Sequence, residues 1–274
     1  ATCAYTLAVS GLFSEMILVD MNRKKAESEA ADINHGVSFA KPCYVRAGDY
    51  ADLAGCGLII IAAGANQKPG ETRIELLGRN RVILSSIIEQ IMQVNRDAVL
   101  LIVSNPVDVL TCMAQSLSGL PAGRVIGSGT VLDTARLKYL LGQRLGVDGR
   151  NVHAFIIGEH GDSELAVWSS ANISGVDLYD YCRITGISDP AAVLRQIYES
   201  VRDAAYSIIE GKGATYYGIG MAVRRIAEAI VRDEHSVLPV SSMISGHYGI
   251  EGICLGLPSI VGRGGAEAVL DIPL

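Results

Sequence analysis

Short apolar runs alternating with longer amphipathic stretches constrain this chain more than any other feature. Runs of strand character lie at 16–20, 43–47, 58–62, 99–104 and 125–127, and helical patterns at 24–35, 73–94 and 107–118 fall between most of them. Strands joined by helical crossovers run parallel, so the pattern predicts an α/β fold with a doubly wound parallel (Rossmann) sheet. In the helix over 73–94, the apolar face is read as Ile74, Leu77, Val82, Ile83, Ser86 and Ile87. After residue 127 the pattern changes. A helix at 131–145 is followed by strand pieces at 165–170 and 176, and by an amphipathic helix at 189–210 with Val193, Ile197, Val201, Ala205 and Ile208 inward. A helix at 220–232 and antiparallel strands at 236–243, 252–255 and 257–261 complete an α+β second lobe. The expected division is therefore 1–127 and 128–274, tightly packed, with no repeat or flexible linker.

Charge and cysteine content narrow the function classes. A net charge of −6 and no run of cationic residues longer than Arg23-Lys24-Lys25 argue against a nucleic-acid partner. The 49% hydrophobic content excludes disorder, yet no apolar run is long enough to span a membrane and no signal peptide is seen, so cytoplasm is expected. Six scattered cysteines without metal-ligand spacing read as free thiols, and no metal is expected.

Ligands of such sheets bind beyond the carboxyl ends of the strands. Those ends here are small or polar: Ala63, Gly64 and Ala65, then Val103, Ser104 and Asn105, then Gly127 and Ser128. Asp20, closing the first run, either holds the hydroxyls of a nucleotide ribose, where its charge would repel a 2′-phosphate, or simply starts a loop. The segment 64–73 carries Gln67, Lys68 and Arg73 among turn formers, as a lid or as an ordinary connection. The run GEHGD at 158–162 sets His160 at a strand end, between acids and glycines. Thr130 and Asp133 have capping-box spacing, and Arg136 lies on the same helical face as Asp133.

Five motifs in order, GANQKPGETR at 64–73, SNPVD at 104–108, LDTAR at 132–136, GEHGD at 158–162 and GATYY at 213–217, make the chain resemble the lactate/malate dehydrogenase family, and within it the enzymes acting on L-lactate. The resemblance spans the whole chain. It implies NAD-dependent, reversible hydride transfer between L-lactate and pyruvate in fermentative sugar metabolism. By that resemblance His160 is the acid/base, Asp133 orients it, Arg136 clamps the substrate carboxylate and Arg73 polarises the ketone. Gln67 stands where malate enzymes carry an arginine, which favours pyruvate; Thr215 lines the side-chain pocket and Asn105 contacts substrate and nicotinamide. Asp20 binds the adenosine ribose, with Lys25, Tyr50, Gly64, Ala65, Ser86, Val103, Ser104 and Ser128 at other NAD positions. Lys138 and His153 match an allosteric anion site that holds fructose 1,6-bisphosphate in bacterial members, and a homotetramer is implied.

The family's first strand and its G-x-G-x-x-G turn are expected before Ala1, and its C-terminal helix after Leu274, so the sequence reads as a fragment. Two alternatives stand beside the main reading: an enzyme of the same family acting on malate or another 2-hydroxy acid, and a truncated, non-catalytic binding subunit. A metal hydrolase built on His153, Glu159, His160 and Asp162 is disfavoured, because His153 and His160, seven apart on a strand, face opposite sides.

Overall fold

The computed structural model describes residues 1–65 and 73–274, with 73 and 74 as backbone only. The chain runs α1 (Thr2–Ser10), β1 (Glu15–Leu18), α2 (Arg23–Val37), β2 (Tyr44–Ala47), β3 (Leu58–Ile61), α3 (Arg73–Val94), β4 (Val99–Ile102), α4 (Val107–Ser118) and β5 (Val125–Gly127). It continues with α5 (Val131–Leu145), β6 (Val152–Ile157), β7 (Leu165–Ile173), β8 (Val176–Asp177), α6 (Leu178–Ile184), α7 (Pro190–Lys212) and α8 (Tyr217–Arg232). Five strands close it: β9 (Ser236–Leu238), β10 (Ser241–Ser245), β11 (Glu251–Gly256), β12 (Ser259–Gly262) and β13 (Gly265–Val269).

The expected doubly wound sheet is present. β3, β4 and β5 are parallel neighbours, and β1 pairs with β2 in parallel as a separate two-stranded unit. β4 shows why the pattern reads as it does: Val99, Leu100, Leu101 and Ile102 are all buried. Leu100 and Ile102 pack towards α3 and α4, Val99 and Leu101 towards α1 and α8. A strand covered on both faces needs an unbroken apolar run, and each such side chain contributes roughly 1.5–3 kcal/mol.

The end of the chain returns to this sheet. β10 pairs antiparallel with β5 through Ser241 and Gly127, and β11 pairs with β10, so a five-stranded mixed sheet carries both early and late strands. The stretch 236–243 was expected as one strand, but it breaks at Pro239 into β9 and β10, because proline cannot donate to a ladder. β6, β7 and β8 form an antiparallel meander whose core is shared with α5, α6 and α7. The short α6, capped by the Asp177 carboxylate on the Tyr179 and Asp180 N–H groups, has no clear periodicity in the sequence.

Two helix faces differ from expectation. In α3 the buried side chains are Asn80, Leu84, Ile88, Ile91 and Met92, while Val82 is 70% exposed. The helix is apolar round much of its circumference, so spacing alone does not select the packed face. In α7 Leu194, Ile197 and Val201 are buried, but Ile208 is exposed because the helix runs beyond its core.

Candidate active site

α5 is fastened to β6 by hydroxyl groups, and this aims its first turn. Thr130 Oγ1 donates to the Ile156 carbonyl at 2.6 Å, and Thr134 Oγ1 accepts from the Ile156 N–H at 2.9 Å. The expected capping box is not formed, since the Thr130 side chain makes no cap hydrogen bond. A second fastening joins the end of β6 to β11: Gly158 and Gly256 exchange N–H···O bonds of 2.8 Å in both directions. A Cβ on Gly256 would stand 2.7 Å from Thr130 Oγ1, so only glycine allows this approach.

Between these fastenings lies a charged cluster. Asp133 is 2% exposed, and its two oxygens are divided between His160 Nδ1 at 2.6 Å and Arg136 Nη1 at 2.8 Å. A carboxylate so far from water is sustained by such pairing. The His160 backbone N–H donates to Asp108 Oδ2 at 2.8 Å, so α4, α5 and the turn after β6 all hold this residue. Because a carboxylate only accepts, Nδ1 carries the proton towards Asp133, and Nε2 is the nitrogen left for a reactant. Burial alone would depress the imidazole, but the Asp133 hydrogen bond and the charges of Asp133 and Asp108 outweigh it. Opposed also by the Arg136 charge, they still raise His160 above its ordinary value. Burial also raises the Asp108 carboxyl, against the Ser241 hydroxyl and the His160 N–H.

The strand-end residues form the other side of the site. Asn80, buried in α3, accepts from the Ala65 N–H at 2.7 Å and donates to the Asn105 carbonyl at 3.0 Å, tying the ends of β3 and β4 together. Ser104 Oγ donates to the Ala63 carbonyl at 2.6 Å, and the N–H of the buried Ser128 reaches the Ile102 carbonyl at 2.9 Å. Val103 and Asn105 complete this rim, with Asn105 exposed. Asp20 follows β1 with its carboxylate exposed, accepting the Asn22 N–H at 2.9 Å. Exposed backbone at Gly64 and an acceptor-only group after β1 fit a ribose with two hydroxyl donors and a cofactor lying across strand ends. Tyr50 is half-buried against the first core, Lys25 is exposed in the first turn of α2, and Ser86 is exposed on α3.

His160, Asp133 and Arg136 are brought together. Thr215 is half-buried between α7 and α8, without a described contact to that cluster. Gln67 and the side chain of Arg73 lie outside the described residues. On the packed neighbours α5 and β6, the Lys138 ammonium stands 5.9 Å from the Phe155 ring centre and is lowered by burial, whereas His153 is exposed. Nothing in the sequence assigns a role to Asn80, Asp108 or Glu164, although Asp108 lies in the SNPVD motif and Glu164 beside the GEHGD motif; a polar residue on an apolar helix is the only signal for Asn80. Among the described residues two His/Asp/Glu groups are close enough to approach a cation: Asp133, His160 and Glu164, and the exposed Asp233, His235 and Glu267.

Residues 1–127 match the lactate/malate dehydrogenase NAD-binding domain, and 130–274 the alpha/beta C-terminal domain of the same family. The L-lactate dehydrogenase of Acetivibrio thermocellus is 54% identical over 273 residues, covering 100% of this chain and 86% of that protein. That of Thermoanaerobacter pseudethanolicus is 53% identical, covering 100% and 88%. The crystal structure of the minor L-lactate dehydrogenase from Enterococcus mundtii in a ligands-bound form superposes with a TM-score of 0.97 at 41% identity, covering 100% of this chain and 87% of that one.

Proposed function

The chain belongs to the lactate/malate dehydrogenase family, and from that premise we propose that it interconverts pyruvate and L-lactate with NAD, as an L-lactate dehydrogenase. One observation carries the reading: a single buried carboxylate, Asp133, orients both an imidazole and a guanidinium. NADH, when bound, supplies the hydride that goes to C2 of the keto acid. Asp20 would hold the adenosine ribose; the strand-end groups of Gly64, Ala65, Val103, Ser104 and Ser128 would line its path, with Lys25, Tyr50 and Ser86 beside them.

His160, protonated, gives its Nε2 proton to the carbonyl oxygen as the hydroxyl of lactate forms, and takes it back in the reverse direction. Asp133 keeps the ring in the productive orientation and stabilises the imidazolium. Arg136 binds the substrate carboxylate through the guanidinium N–H groups not directed at Asp133. Asn105 and Thr215 contact the substrate, and Arg73 polarises its carbonyl as negative charge develops. Gln67 decides against a second carboxylate, which would stay unpaired beside a neutral amide.

We place the enzyme in cytoplasmic fermentative sugar metabolism as a homotetramer; unpaired cysteines and the lack of any described helix able to cross a membrane support the compartment, and light scattering tests the assembly. For Lys138 and His153, placement on packed neighbours supports an anion contact, and activity with and without fructose 1,6-bisphosphate decides it. The main test is NADH oxidation with pyruvate, oxaloacetate and 2-oxoisocaproate, for wild type and Gln67→Arg. Preference for pyruvate, eroded towards oxaloacetate by the arginine, is expected. NADH binding without turnover of pyruvate would overturn the reading.

A further inference from the structure

Glu164 takes no part in the reaction as derived, yet it ends the turn that carries His160. Its N–H donates to the Gly161 carbonyl at 3.1 Å, and its carbonyl accepts from the Tyr198 hydroxyl of α7, so its backbone is pinned on both sides. The side chain is 5% exposed, and its fully buried Oε1 has no hydrogen-bond partner among the described residues. One oxygen of this carboxyl, one of Asp133 and a ring nitrogen of His160 all lie within 4.8 Å of one another. A buried carboxyl oxygen left unpartnered is costly, and a second acid at this distance from an ion pair cannot titrate independently of it.

We propose that Glu164 is a positioning residue for proton transfer: with Asp133 and His160 it forms a three-member unit in which the Glu164 charge sets how tightly the imidazole keeps its proton. The proposal rests on His160 being the proton donor of the reaction above.

Among the described residues the groups that interact with Glu164 are Asp133 and Arg136 on α5, His160 on the turn, and Tyr198 and Arg202 on α7, while Asp108 on α4 acts on His160 and Glu159 on Asp108. Glu159 is turned to the Ser163 hydroxyl. Burial first, then the Asp133 charge, push the Glu164 carboxyl up to about 7, against His160, Arg136 and Arg202. Glu164 therefore gains its charge within the working pH range. Since the coupling of two sites is reciprocal, the attraction of His160 for an ionised Glu164 is equally a pull on the imidazole proton. Below neutrality Glu164 is neutral and His160 relies on Asp133 and Asp108. Above it, the new charge keeps the imidazolium, and hence pyruvate reduction, to higher pH.

The test compares kcat/KM for pyruvate reduction and lactate oxidation across pH in wild type, Glu164→Gln and Glu164→Asp. The basic limb of reduction should move down by about one pH unit in Glu164→Gln, so that its activity relative to wild type falls at least about fivefold between about pH 6 and pH 8.5. Lactate oxidation, which needs the neutral ring, should have its acidic limb displaced in the same direction, and Glu164→Asp should recover most of the displacement. Superimposable profiles, or one uniform loss at every pH, would overturn the proposal. If Glu164→Gln does not fold, ¹³C NMR of glutamate carboxyls in the wild-type enzyme decides: a resonance titrating near neutrality supports it, and none between about pH 6 and 8 refutes it. Wild-type turnover reports separately on the function, and another preferred keto acid would serve equally for the profiles.

Discussion

Two histidines of this chain hold an aspartate through Nδ1, His160 on Asp133 at 2.6 Å and His247 on Asp271 at 2.9 Å. The imidazoles are almost equally accessible, 27% and 26% exposed, but Asp133 is 2% exposed and Asp271 61%. The contact is the same and the carboxylate's surroundings differ. Asp271 remains solvated, and an exposed contact of that kind contributes about 0–1 kcal/mol. Asp133 has exchanged water for His160 and Arg136, and removing either partner strands a buried charge. Coupling strong enough to move a proton's affinity comes from withdrawing the acid from water.

Substitutions that remove the ring separate the two pairs most widely. His160→Gln should lower pyruvate reduction by about 10³–10⁴-fold while NADH binding, followed by fluorescence, persists, whereas His247→Gln should stay within about twofold. Equal losses at both positions would end the comparison. Asp133→Asn should cost about 10²–10⁴-fold in kcat, because the amide no longer favours the imidazolium and permits the wrong tautomer. The matching Asp271→Asn should be silent in the same assay.

Arginine sharpens the contrast, since among the described residues no arginine is paired with Asp271 as Arg136 is with Asp133. Arg136→Lys should raise the KM for pyruvate by about 10–100-fold, as the two-point contact with a carboxylate is lost while a charge remains. A change confined to kcat would assign Arg136 to Asp133 alone.

The pH dependence has a defined sign. His160 is raised in the folded chain, and reduction needs the imidazolium, so kcat/KM for pyruvate should be level at acid pH and fall as pH rises through that raised value. The same shift makes the His160–Asp133 pair stabilising below the ordinary histidine value of about 6.5, with that contribution lost as pH rises through the folded value. In Asp133→Asn the loss should come at lower pH, measured by denaturant midpoints across the range. The smallest expected effect is Asp271→Asn on stability, within about 0.5 kcal/mol in the same titration.

The fold was legible where one element decides the pattern. The unbroken run in β4 reports burial on both faces. It was less legible where several faces are apolar, as in α3, or where an element is short, as in α6. Of the site, His160, Asp133 and Arg136 were picked out by the family resemblance of the motifs that carry them, beside a strand-end imidazole and an acid and an arginine on one helical face. Asn80, Asp108 and Glu164 were not, because a buried polar residue looks like any surface one until its neighbours are known.

The local order of strands and helices and the parallel sheet follow from the sequence alone, since they depend on periodicity over a few residues; the proposed reacting side chains were named by the resemblance of five motifs to a known family. Tertiary structure decided that β10 and β11 return to the sheet of β3, β4 and β5, and that Asp133 meets His160 across 27 positions of chain. It also decided that Glu164 lies beside both without a partner for Oε1 among the described residues. These depend on which surfaces exclude water together. Desolvation belongs to the assembled neighbourhood, and no single residue carries it in its own letter.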